Sequence, residues 1–117
     1  MGVFTQIDVH IEFETKEDSD KAFEVMENFR EQIKEHIYRD REFHVNDLEA
    51  DGDDNYIEVR INSSREPNAR FHVDCLIKLF QIHKINVSTF NADIIQPDTY
   101  LSFDGVEDFN EYEINFE

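Results

Sequence analysis

The sequence is poor in residues that staple, interrupt or anchor a chain. Cys75 is its one cysteine, so an intramolecular disulfide is impossible. Three glycines and two prolines indicate short connections between elements. The N-terminal segment has neither a basic region nor a long apolar run, so we expect no signal peptide and no membrane helix. These absences together indicate a cytoplasmic protein.

Basic residues are also scarce. The chain has 11 Lys and Arg residues against 28 Asp and Glu residues, which gives a net charge of −17. Phosphate backbones and anionic lipids repel such a chain, so we expect neither direct nucleic-acid binding nor membrane association. The charge favours a basic protein as partner.

The apolar content is sufficient for a folded core. Hydrophobic residues make up 39% of the 117 residues, and eleven of them are Phe. A chain of this length can bury roughly two-thirds of its unfolded surface without a disulfide or a metal. The composition therefore predicts a single globular domain over residues 1–117 and excludes disorder.

Alternating apolar residues predict the strands. The first predicted strand runs from Ile7 to Phe13. A second begins at Phe43, and a third runs from Ile57 to Ile61. Residues 50–54, between the second and the third, have the composition of a hairpin turn. Another alternation runs from Phe90 to Ile94.

Helical periodicity follows Thr15, which has the character of an N-cap. One face then carries Ala22, Met26, Phe29, Ile33 and Ile37, which predicts a helix from about 16 to 38. The segment 68–84 fits a helix and also alternates like a strand. Its length without a break favours the helix.

The order of these elements is β-α-β-β-α-β. It predicts an α+β, ferredoxin-like sandwich, an antiparallel sheet with two helices on one face. A C-terminal β extension is also expected, with Asp104 and Gly105 in the connection between its strands. The alternating residues that predict it are Leu101, Phe103, Tyr112, Ile114 and Phe116. The fold by itself implies no function.

The segment 47–58 resembles a calcium loop in its acidic spacing. The matching residues are Asp47, Glu49, Asp51, Gly52, Asn55 and Glu58. Asp54 stands where such loops carry an apolar residue, and the flanks alternate like strands. We interpret the segment as an acidic hairpin tip and expect no high-affinity calcium site, while weak divalent binding stays open.

Other chemical motifs are weak. His72 and Cys75 have a zinc-like spacing, but no second close pair accompanies them, so we interpret Cys75 as a core residue and His72 as a surface residue. The sequence has no Gly-rich phosphate loop and no nucleophile elbow, and Ser63 and Ser64 lack a local triad. We therefore predict a protein that is not an enzyme and that uses no metal or cofactor.

An acidic sheet face is the main functional signal. If the helices cover the face with Ile7 and Val59, the opposite face carries the polar residues of the same strands. These are Asp8, His10, Glu12, Glu14, Tyr56, Glu58 and Arg60, joined by Glu111, Glu113 and Glu117 on the expected last strand. Same-face residues repeat about every 6.6 Å, so two acidic strands approach the charge spacing of a DNA strand, about 3.4 Å. RNA-binding sheets need aromatic and basic residues on such a face.

Two functional hypotheses follow. The first is an acidic module that docks on a basic, nucleic-acid-handling partner, as a DNA-mimicking inhibitor or an immunity protein does. Its partner-binding residues are Asp8, Glu12, Glu58, Glu111 and Glu113. The second is a small-molecule or metal-linked ferredoxin-like domain, with or without enzymatic activity, whose site lies at a sheet edge or a dimer interface. The sequence is compatible with a monomer and with a homodimer, and an acidic face that serves only solubility stays open.

Overall fold

The computed structural model describes residues 4–37, 45–64, 70–94 and 99–114. The elements in chain order are β1 (Phe4–Phe13), α1 (Lys16–Glu27), α2 (Phe29–His36), β2 (Val45–Asp53), β3 (Tyr56–Ser64), α3 (Arg70–Ile82), β4 (Val87–Ile94), β5 (Thr99–Asp104) and α4 (Val106–Glu111). The predictions that involve Phe43, Phe116 and Glu117 lie outside the described residues.

The strands form one antiparallel sheet in the order β2-β3-β1-β4-β5. β1 is central, and Val9 pairs with Val59 on one side and with Ala92 on the other. All three side chains are buried, as are Ile7 and Ile11 in the same strand. The predicted alternation is therefore confirmed, since one face of the sheet is buried and the other is not.

The helices cover the buried face. α3 is the most deeply placed, because eight of its thirteen residues are buried. This confirms the helical interpretation of residues 70–82, and the strand-like alternation arises because α3 is enclosed on most sides. Cys75 is buried as predicted, but His72 is buried as well and packs edge-on against Phe71, so its predicted surface position is wrong.

The first predicted helix is interrupted. Thr15 caps α1 as expected, and its hydroxyl accepts a hydrogen bond from the Asp18 N–H at 3.1 Å. At Asn28, however, φ is −112° and ψ is 30°, and a second helix begins at Phe29. Asparagine has a low helix propensity, and here its backbone N–H bonds to the carbonyls of Val25 and Met26 while its side chain makes no capping hydrogen bond. The prediction of one continuous helix is therefore wrong at Asn28.

The C-terminal segment contains one strand and one helix. β5 confirms the strand expected at Leu101 and Phe103. The second expected strand is wrong at Tyr112 and Ile114, which lie outside any strand, and the preceding residues 106–111 form α4. Gly105 redirects the chain with a φ of 103°, which glycine adopts without a Cβ clash. Phe109 is then fully buried, with its ring centroid 5.4 Å from that of Phe90. Because burial of this apolar ring is favourable, the chain after Gly105 folds back over the buried face of the sheet.

The result is a mixed α+β architecture with a five-stranded antiparallel sheet and, within the described residues, four helices. It departs from the plain ferredoxin-like pattern in having two helices between β1 and β2, and β5 and α4 after β4. The helices of the described ranges all lack the length and apolar character needed to cross a membrane.

Candidate protein-binding face

The sheet face opposite the helices is exposed, and we call it the open face. It is formed by the polar half of each alternating strand, and none of its described side chains is buried. Its carboxylates are Asp8, Glu12, Asp47, Glu49, Asp51, Asp53, Glu58, Asp93 and Asp104. Among the described strand residues, Arg60 is the one Lys or Arg side chain on this face. The open face is therefore strongly anionic.

The edge strand β2 contributes most of this charge. Asp47, Glu49, Asp51 and Asp53 occupy alternate positions, and all four are exposed. Alternate residues on a strand stand about 6.6 Å apart, so these carboxylates form a line along the edge of the sheet. Sequence reasoning missed this line because the residues were considered as a calcium loop, although their period of two was visible beside Leu48 and Ala50.

Several carboxylates lie directly across from other charged groups. Asp51 pairs in register with Glu58, and Asp8 pairs with Asp93. The guanidinium of Arg60 offsets part of this repulsion, since its Nε lies 3.1 Å from Oδ1 of Asp8. Like charges directly opposite each other destabilise a sheet. This face therefore contains more negative charge than the fold alone requires.

His10 lies at the centre of the open face between two carboxylates. Its Nδ1 lies 2.5 Å from Oε1 of Glu58, and its Nε2 lies 3.7 Å from Oε2 of Glu12. The imidazole also stacks on the ring of Tyr56, with centroids 5.9 Å apart and an interplanar angle of 28°. His10 and Tyr56 thus form an aromatic platform within the acidic surface.

The opposite half of the open face is less charged. Asn91 on β4 accepts hydrogen bonds from the hydroxyls of Ser102, at 2.6 Å, and Tyr100, at 3.2 Å. Tyr100 is 63% exposed. The carboxylates on the described strand residues of this half are Asp93 and Asp104, so over the described strands the acidic density is greatest on β2, β3 and β1.

The structure brings together three of the five predicted partner-binding residues. Asp8 and Glu12 on β1 and Glu58 on β3 share the open face. The expected position of Glu111 and Glu113 on a last strand of this face is wrong, because Glu111 ends α4 and Glu113 follows it outside any strand. Their role in partner binding stays a prediction.

The segment around Glu111 and Glu113 packs on the side of the sheet that carries α3. The side-chain amide of Gln81 donates to the carbonyls of Phe109, at 3.0 Å, and Tyr112, at 3.1 Å. The burial of Phe109 fixes this placement, and the alternation of Tyr112 and Ile114 gave no sign of it.

The segment 47–58 is a hairpin whose turn lies at Asp54 and Asn55, slightly later than predicted. Its acidic residues are distributed along two strands and do not surround one point. Within the described residues, no group of three His, Cys, Asp or Glu side chains is arranged to hold a metal ion. The absence of a high-affinity calcium site stays a prediction.

The concave features are shallow. A depression of about 280 Å³ on the open face is lined by Asp8, Glu49, Asp51, Glu58 and Arg60. A groove of about 510 Å³ on the other side runs between the α1–α2 break and β2, where Phe23, Met26 and Leu48 contribute apolar surface. Neither of these two features has a histidine in its lining, whereas a smaller one of about 160 Å³ is lined by His83, Glu24 and Lys21 among others.

A polar cluster joins α3 to the C-terminal segment on the covered side. Arg70 lies 2.5 Å from the Tyr112 hydroxyl and 3.4 Å from Oδ1 of Asp74. Burial raises the pKa of Asp74, and the charge of Arg70 offsets part of that rise. Burial alone lowers the pKa of Arg70, but hydrogen bonding to Tyr112 and the charge of Asp74 bring its pKa above the usual value. These contacts hold the segment that follows α4 against α3.

Comparisons of the chain with protein-family models, with curated protein sequences and with solved structures found no match. The geometry and charge of the open face are therefore the observations that bear on function.

Proposed function

We propose that this protein is an acidic binding module whose open face docks on a basic protein partner. The observation that supports it is the arrangement of nine carboxylates and one guanidinium on a single exposed sheet face. Electrostatic complementarity of this kind accelerates encounter and selects partners of opposite sign. Three of the residues inferred from the sequence, Asp8, Glu12 and Glu58, belong to this surface.

The spacing of the carboxylates favours a partner that handles nucleic acid. Neighbouring strands lie about 4.8 Å apart and same-face residues about 6.6 Å apart, so the negative charges repeat on the scale of a phosphate backbone. A surface of this kind competes with DNA or RNA for a basic groove. The module thus acts as a nucleic-acid mimic, an inhibitor or an immunity-type protein in the cytoplasm, and it does not itself bind nucleic acid.

The second candidate is a small-molecule or metal-linked domain. It draws on the groove between the α1–α2 break and β2, where Phe23, Met26 and Leu48 meet the charged Glu27 and Arg30. The acidic-module proposal is preferred because its surface extends over all five strands.

The fold itself fits a ferredoxin-like core with additions. We infer that β2-β3-β1-β4, the α1–α2 segment and α3 correspond to the β-α-β-β-α-β unit, and that β5 and α4 extend it. The antiparallel pairing of these four strands supports the inference.

The test begins with affinity capture from the source cells at low salt. Each captured protein is purified and its binding kinetics are measured with the wild type and with the double variant Asp51→Lys and Glu12→Lys. We expect slower association by roughly 10-fold or more at low salt, since steering charges act mainly on the on-rate. We also expect duplex DNA to compete with the module for the partner.

The matched control is the double variant Glu24→Lys and Glu27→Lys. Both residues are exposed on α1, and the change in net charge is the same. This control should associate with the partner much faster than the open-face variant. Equal effects of the two variants, or binding that ignores salt, would show that the acidic face serves only solubility.

A further inference from the structure

We propose that Tyr56, with the carboxylates around it, receives an arginine side chain of the partner. This inference rests on the proposed function and adds the chemical identity of the group that docks at the hairpin end of the acidic half. Tyr56 begins β3 and pairs in register with Asp53 on β2 and Glu12 on β1. Glu58 follows two residues later on the same face.

The tyrosine ring is available for a partner. Tyr56 is 41% exposed, which makes it one of the few large aromatic side chains on the described surface. His10 supports the ring from the neighbouring strand and is itself held by Glu58, 2.5 Å away. Exposed aromatic residues that neighbouring groups hold in place are frequent anchors of protein interfaces.

The chemistry of this arrangement distinguishes arginine from lysine. A guanidinium is planar, so it stacks on a tyrosine face while its N–H groups donate to carboxylates at its rim. Its donors match a carboxylate in a two-point contact. A lysine ammonium is a compact, strongly hydrated charge with no plane to stack. Asp53, Glu12 and Glu58 supply acceptors on three sides of the ring.

Tyr100 gives an internal comparison on the same face. It is also exposed, but it lies on the edge strand β5, where Asp93 is its cross-strand neighbour, and its hydroxyl is engaged by Asn91. Among the described residues it therefore has one carboxylate as a cross-strand neighbour, whereas Tyr56 has two, with Glu58 two residues further along its own strand. A general preference of exposed tyrosines for cations affects both residues, whereas the proposed receptor affects Tyr56 alone.

The experiment compares oligoarginine and oligolysine peptides of equal length by calorimetry at fixed low salt. We expect the wild type to bind the arginine peptide about 2- to 5-fold more tightly, the range given by an exposed cation–π contact. Tyr56→Leu should reduce this preference by weakening the binding of the arginine peptide, while any preference from two-point carboxylate contacts remains. Tyr56→Phe and Tyr100→Leu should retain the full preference.

A second measurement follows the Tyr56 ring protons of the wild type by NMR during titration with each peptide. Larger chemical-shift changes are expected with the arginine peptide. This measurement uses the wild type alone, so it does not depend on the folding of Tyr56→Leu. Equal, salt-sensitive binding of both peptides, or a preference lost in Tyr100→Leu, overturns the arginine receptor and leaves the proposed function intact. Absence of binding by both peptides contradicts the proposed function itself.

Discussion

Gly52 is a residue at which the β2–β3 hairpin leaves no room for a side chain. A Cβ at this position would lie 2.3 Å from the carbonyl oxygen of Tyr56 and 3.1 Å from the Cα of Ile57. Both are backbone atoms, so relief requires the paired strands to move apart. We expect Gly52→Ala to lower the free energy of unfolding by about 1–3 kcal/mol, the range of overpacking.

Urea unfolding measures this effect. The control is Asp53→Ala, one residue later and exposed, for which a change of less than about 0.5 kcal/mol is expected. An unchanged urea midpoint for Gly52→Ala would contradict the close approach of the two strands.

His83 and His36 form a pair of histidines with ring centroids 5.8 Å apart. Burial lowers the pKa of His83 below 6.5, and the nearby charges of His36 and Lys21 lower it further. Because the unfolded chain then binds a proton more readily than the folded one, His83 reduces stability as the pH falls below about 6.5.

We expect His36→Gln to raise the pKa of His83 towards 6.5, since one positive neighbour is removed. Proton NMR titration of the imidazoles measures this directly. His10→Gln changes a histidine on the open face and should leave the pKa of His83 unaltered. A value for His83 above 6.5 in the wild type, or no response to His36→Gln, disproves the proposed coupling.

The strand pair β2–β3 allows the cost of the acidic face to be measured. Asp51 lies opposite Glu58, and Glu49, on the same face of the same strand, lies opposite Arg60. Asp51→Lys converts a like-charge pair into an attractive one and should stabilise the protein by about 0.2–1 kcal/mol. Glu49→Lys makes the same charge change but places two cations opposite each other, so it should destabilise by a similar amount.

Thermal unfolding at low salt compares the two variants. If they shift the melting temperature in the same direction, then net charge, and not the cross-strand pair, controls stability. If the open face binds a basic partner, both variants should also bind it more weakly than the wild type does. Asp51→Lys is therefore expected to be more stable than the wild type and to have a lower affinity for the partner.

The sequence was sufficient for the elements whose periodicity is long and whose signals agree. β1, the cap of α1 at Thr15 and the strands at 57–61 and 90–94 follow directly from alternation and capping. The break at Asn28 was not predictable from the apolar pattern, because Met26 and Phe29 fit the helical period on either side of it. α4 was missed because it has only six residues and its position depends on Phe109 entering a distant aromatic cluster.

The candidate site was predicted in outline. Asp8, Glu12 and Glu58 were found because each alternates with residues of the core. Asp47, Glu49, Asp51 and Asp53 have the same alternation, but Leu48 is the one large apolar side chain among the intervening residues, since Ala50 is small and Gly52 has no side chain. The register between β2 and β3, which places these acids beside Glu58 and Arg60, depends on the hairpin turn at Asp54 and Asn55.

The whole molecule combines a net charge of −17 with a one-sided acidic sheet. Self-repulsion in such a chain opposes folding, whereas attraction to a basic partner favours binding, and both are screened by salt. The screening length falls from about 30 Å at 0.01 M to about 8 Å at 0.15 M, and then to about 3 Å at 1 M. Strands about 4.8 Å apart are close enough for repulsion to persist at moderate salt.

Salt should therefore act on stability and on binding with opposite signs. Raising sodium chloride from about 0.01 M to about 1 M should increase the melting temperature, because carboxylates on the open face then repel one another less. Over the same range the affinity for the basic partner should fall, mainly through slower association. Differential scanning calorimetry and stopped-flow kinetics measure the two slopes. The double variant Asp51→Lys and Glu12→Lys should flatten both, while Glu24→Lys and Glu27→Lys on α1 should leave the binding slope closer to that of the wild type. A melting temperature that rises with salt while the affinity for the partner stays constant would mean that the carboxylates of the open face repel one another but do not steer a partner.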